Sequence, residues 1–239
     1  MLGLNIFSLF VLLCIIVGAN KLRSIEDTRK RKIVKILLFM VLSYNVLHIV
    51  LTSKIPVEFS TVSYFIVPLI VILNLDFLKV WTIYASLMAG TLYYLTMVLV
   101  GGSIYHYYPY MSVYTSLFCH GSLLLYGLIE LRTVSLQEKE RYKLIVGLIL
   151  MAAWAMYIRP QVTLSSRIFI YEIIDAKIVK SVFQYNSWMI LSLYYSILVY
   201  LLAQSTRIVI KLNQMVAPMT DECAHLKHNM YHSIPHSPK

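Results

Sequence analysis

The sequence predicts an all-α polytopic membrane protein of about seven transmembrane helices, N-terminus outside and C-terminus cytoplasmic, and three observations carry that prediction. Of 239 residues, 59% are hydrophobic and only 13% are charged, whereas soluble domains carry roughly 25% charged residues. The apolar residues gather in runs of near-membrane length, and in lipid the backbone polar groups must be satisfied internally, so helices are expected and strands are not. The lysines and arginines collect in a few connections between those runs. The formal charge of +10 therefore reads as the positive-inside rule, and nucleic acid is not an expected partner.

A spanning helix needs ~20 mostly apolar residues. Seven stretches qualify, at about 2–19, 33–51, 55–73, 77–100, 112–131, 142–158 and 182–203. The first is not a cleaved leader by its charges: no lysine or arginine precedes residue 21, and six follow by residue 32. A leader places its positive charge before the apolar core, so a retained helix is expected. The second carries Tyr44, Asn45 and His48 on one face, by spacings of three and four. The third opens with I-P-V-E-F-S-T-V-S-Y, which sets Glu58, Ser60 and Thr61 in its first turns.

The fourth run leads into G-G-S-I-Y-H-Y-Y-P-Y, with four tyrosines and no lysine or arginine; tyrosine suits the headgroup level. The fifth contains S-L-F-C-H-G-S-L-L-L-Y-G and so places His120 among apolar neighbours. The sixth is short and closes at Arg159-Pro160. A mixed apolar and charged stretch, R-I-F-I-Y-E-I-I-D-A-K-I-V-K, precedes the seventh. It fits a segment lying on the membrane surface or a solvated loop with a packing helix. Residues 1–205 thus form the membrane domain and residues 206–239 a flexible basic tail. Counting charges on this topology puts 16 lysines and arginines inside and five outside.

Ionisable side chains within a span cost ~2.5–3.5 kcal/mol each at the centre on insertion scales, so they mark the candidate site. At ~1.5 Å per residue, Ser60 and His120 are both expected roughly 8–12 Å beneath the outer boundary, with His48 and Glu58 shallower. Such a cluster allows general-base activation of a hydroxyl: His120 takes the Ser60 proton as the oxygen attacks an ester carbonyl. Asn45, His48, Glu58 and Thr61 are the candidate substrate-binding or supporting residues. Cys119 adjoins His120, but neighbours on a helix diverge by ~100° and should not meet. The bland reading makes the same residues interhelical hydrogen-bond glue.

Several of these motifs resemble those of the YwaF-like bacterial integral membrane proteins. I-P-V-E-F-S-T-V-S-Y-F-I-V-P-L-I-V-I is similar to their third helix and L-M-A-G-T-L-Y-Y-L-T to their fourth. Y-P-Y-M-S-V-Y-T-S-L-F-C-H-G-S-L-L-L-Y-G is similar to their Pro-aromatic stretch and His-Gly helix, the resemblance covering about residues 33–205. Eukaryotic relatives of that family are ether-phospholipid acyltransferases that use a third-helix cysteine and a fifth-helix histidine. The resemblance assigns those roles to Ser60 and His120. Where the family usually has histidine, cysteine and aspartate, this chain has Glu58, Ser60 and Thr61. Serine forms its anion far less readily than cysteine, which leaves open a serine enzyme or a fold that has lost catalysis.

The tail holds Cys223, His225, His228, His232 and His236 without a closed four-ligand spacing, so a floppy segment is expected and no metal centre. Three scattered cysteines make no disulfide framework. The functional expectation is a lipid acyltransferase or lipid-ester hydrolase of the cell membrane, with membrane lipids as partners and no cofactor. The alternative is a non-catalytic scaffold, transporter component or ligand-binding partner.

Overall fold

A computed structural model describes residues 2–53, 55–56, 58–104, 109–158 and 187–216. Among them lie seven α-helices: α1 (Leu2–Arg23), α2 (Asp27–Thr52), α3 (Phe59–Ile72), α4 (Lys79–Ile104), α5 (Tyr110–Glu130), α6 (Arg141–Ile158) and α7 (Ser187–Val216). Two single 3-10 turns, Asp76–Leu78 and Glu138–Glu140, lead into α4 and α6. No strand occurs among the described residues. The expected surface segment before α7, the centre of the tyrosine-rich connection and the histidine-rich tail lie outside the described residues.

Among the described residues five helices are long and apolar enough to cross a membrane: Gly3–Arg23, Asp27–Thr52, Asp76–Gly101, Tyr110–Glu130 and Tyr195–Val216. Their outer faces carry Phe10, Leu51, Leu99 and Leu201 in the open. A belt of that kind has no place against water and suits acyl chains. The third expected span is shorter than its apolar run. Pro56 and an extended Glu58 (φ −78°, ψ 150°) delay the helix to Phe59, and 14 residues remain. At ~1.5 Å per residue this is ~21 Å, short of a ~30 Å hydrocarbon core.

The centre of the bundle is the α4–α5 pair, and glycines let it close. A β-carbon on Gly90 would stand 2.5 Å from Leu124 Cβ and 3.1 Å from the His120 carbonyl oxygen. One on Gly127 would meet Leu87 at 2.9 Å, and one on Gly121 the Tyr94 hydroxyl at 2.8 Å. Small residues are the usual means of bringing membrane helices together, since lipid is as apolar as leucine and gives no hydrophobic drive. Tyr94 then donates its hydroxyl across the seam to Leu117 O at 2.9 Å.

The last helix corrects the expected boundary at residue 206. It continues to Val216, with Val209, Ile210 and Asn213 buried. The reason is polar and specific. Asn213 accepts from the Leu136 amide at 2.7 Å and donates to the carbonyls of Leu131 and Val134, tying α7 to the connection after α5. Arg141 Nε donates to Thr206 Oγ1 at 3.0 Å, and Tyr84 bonds Leu202 O and Ser205 Oγ at 2.8 Å. These contacts, with Lys79–Glu130 at 2.9 Å and Arg132–Asn20 at 2.8 Å, gather the basic connections at one end of the bundle.

Candidate functional site

His120 sits ten residues past the start of α5 and is 5% exposed. Its ring faces α4 and α3. Nδ1 lies 3.0 Å from Ala89 O. A carbonyl only accepts, so Nδ1 is the protonated nitrogen and the lone pair of the neutral ring is on Nε2. The ring stacks on Tyr93, with centroids 3.7 Å apart and planes 9° from parallel, and Tyr64 approaches edge-on at 5.2 Å. Three helices therefore meet at this imidazole.

The other sequence-predicted residues do not converge on it. Ser60 is partly buried in the first turn of α3, and no hydrogen bond joins it to His120 among the described residues. Ser60 lies one helical turn nearer the start of α3 than the residue of that helix that meets the imidazole. The α3 residue at the level of His120 is Tyr64, one turn deeper than Ser60 on the same stripe.

The supporting residues have local partners. Asn45 Nδ2 donates to Val41 O at 2.8 Å and lies 3.6 Å from Cys119 Sγ, so Cys119 faces α2 while His120 faces α4. His48 is exposed, 3.4 Å from Thr52 Oγ1. Glu58 is exposed at the α3 N-cap and makes no side-chain cap bond, and Thr61 Oγ1 turns back to Glu58 O at 2.9 Å. None of these four shares a hydrogen bond with His120. Among the described residues no group of three or more histidine, cysteine or acidic side chains could hold a metal ion.

Sequence reasoning missed Tyr64 and Tyr93, the two rings against the imidazole. The available signal was Ala89-Gly90 in the fourth run, a small-residue pair that lets another helix close on the turn below Tyr93. A second feature, an apolar cleft of about 780 Å³, opens between α3, α4 and α6. Trp154 closes one end by donating to Pro56 O at 2.9 Å. Val62 and Ile66 line this cleft. Each follows Ser60 or Tyr64 by two residues, ~200° around the helix. The cleft and the imidazole therefore lie on opposite faces of α3.

No family model, curated protein or solved structure matches the chain. The likeness to the YwaF-like proteins rests on the quoted motifs alone.

Proposed function

We propose that the chain is a non-catalytic multi-pass protein of the cell membrane, a scaffold, transporter component or ligand-binding partner, whose histidine cluster joins helices. The observation that carries this reading is the coverage of His120: one nitrogen on Ala89 O, one ring face on Tyr93 and Tyr64 edge-on to the ring. The missing Ser60 contact and the position of the cleft support it further. The proposed topology is seven membrane-embedded helices, N-terminus outside and C-terminus cytoplasmic. It draws support from the gathering of basic connections at one end and from the charge bias of 16 to five.

A second reading is favoured by one specific observation, the tautomer that Ala89 O imposes. A bare Nε2 is what a general base requires. In this reading the chain is a lipid acyltransferase or lipid-ester hydrolase related to the YwaF-like proteins. Ser60 gives its proton to Nε2, its oxygen attacks the ester carbonyl, and the lipid alcohol leaves an acyl-enzyme. Asn45, His48, Glu58 and Thr61 would then support the substrate, and Ser60 would have to move one turn deeper. The test is treatment of the purified, folded protein with a serine-directed lipid-ester probe. The non-catalytic reading expects no labelling; labelling lost in both Ser60→Ala and His120→Ala would establish the catalytic one.

A further inference from the structure

At the basic end of the bundle a polar cavity of about 180 Å³ opens between α2, the end of α3 and the facing ends of α4 and α5. Four cations line it, Lys30, Arg31, Lys35 and Lys79, against two carboxylates, Asp76 and Glu130. The cations are not equally neutralised. Lys79 pairs with Glu130 at 2.9 Å, and the largely buried Lys30 with the exposed Asp27. Among the described residues Lys35 bonds only the neutral amide oxygen of Asn74, at 2.8 Å. Arg31 makes no hydrogen bond or ion pair among the described residues, its charge acting only at longer range on the exposed Asp27 carboxylate one turn away. Neither Arg31 nor Lys35 thus closes an ion pair with a carboxylate among the described residues.

The shape of the wall has a cause in the backbone. Lys30, Arg31 and Lys35 occupy the first turns of α2, so three long side chains leave one short stretch of helix. Asn74, at φ 54°, takes the left-handed conformation that asparagine tolerates, which ends the α3 segment and sets its amide against Lys35. The rest of the lining combines Val34, Ile70, Val71 and Leu75 with the buried Thr82–Tyr126 hydroxyl pair. A cation-lined cavity with apolar side chains beside it, at the end where the basic connections gather, is the profile of a headgroup-level site.

We propose that this cavity binds a phosphate group, held by Arg31 and Lys35, and that an anionic phospholipid of the adjoining leaflet presents it. Arginine forks onto two phosphate oxygens while lysine supplies a point charge. Basic pockets between membrane helices on the cytoplasmic side hold anionic headgroups by these contacts. The site is remote from His120 and independent of what that residue does.

The test uses the full chain, purified in mild detergent at physiological salt, and measures thermal unfolding and retained lipid by native mass spectrometry. The additives are short-chain phosphatidic acid, short-chain phosphatidylcholine and inorganic phosphate. Phosphatidic acid should raise the unfolding midpoint and remain bound. The Arg31→Gln/Lys35→Gln variant should unfold at the wild-type midpoint without lipid and bind phosphatidic acid at least tenfold more weakly. An Arg23→Gln/Lys139→Gln control removes two exposed charges at the same end and should bind as wild type does. Equal weakening in the control, or unchanged binding in the first variant, overturns the site. Inorganic phosphate binding as tightly as phosphatidic acid keeps the anion site and overturns the lipid as its source; phosphatidylcholine binding equally overturns both.

Discussion

At the scale of single residues, His120 and Ser60 should behave oppositely on truncation. His120→Ala removes a buried ring with a hydrogen bond to Ala89 O and contacts to Tyr93 and Tyr64. Deleting a buried aromatic side chain costs about 3–5 kcal/mol, and in a membrane helix the lost bond adds only about 0.6. A loss of about 4 kcal/mol is expected in detergent unfolding. Ser60→Ala, at a partly buried position without a hydrogen bond to the cluster, should stay within about 0.5 kcal/mol. The sequence made His120 conspicuous because a costly polar group in an apolar run demands a reason. It could not give the partners, because a tyrosine that stacks on histidine and one that sits at a headgroup look the same in one dimension.

At the scale of elements, the glycines and Asn213 decide how helices meet. Gly90→Ala would gain about 1 kcal/mol of helix propensity, but its new Cβ would lie 2.5 Å from Leu124 Cβ and 3.0 Å from Leu124 Cα. Neither of those atoms can swing aside by rotating a side-chain bond. Overpacking of this kind costs about 1–3 kcal/mol, so the expected result is a lower unfolding midpoint despite the better helix former. Asn213→Ala strands the Leu136 amide and the carbonyls of Leu131 and Val134; about 2 kcal/mol is expected to be lost. That loss should appear first as faster hydrogen exchange in the last turns of α7. Helix positions were legible from hydropathy, since each long apolar run became a helix. Two ends were not. Pro56 and Glu58 shortened α3 where composition still read as membrane, and α7 outran its apolar stretch because one buried asparagine anchors it.

At the scale of the whole molecule, the basic connections lie together at one end of the bundle, and five helices among the described residues have the length and apolarity to cross a bilayer. The proposed orientation predicts that a cysteine replacing Lys139, in a Cys14→Ala/Cys223→Ala background, resists an impermeant maleimide in intact cells and reacts after the membrane is opened. Reaction in intact cells would invert the topology. What composition could not convey is that the polar residues form two separate groups, an imidazole enclosed between α3, α4 and α5 and a cationic cavity at the basic end. The central claim is that His120 fastens helices together. It is tested most directly by the unfolding midpoints of purified wild type, Ser60→Ala and His120→Ala measured side by side. A marked drop for His120→Ala alone is predicted; an unchanged midpoint for His120→Ala would contradict the claim.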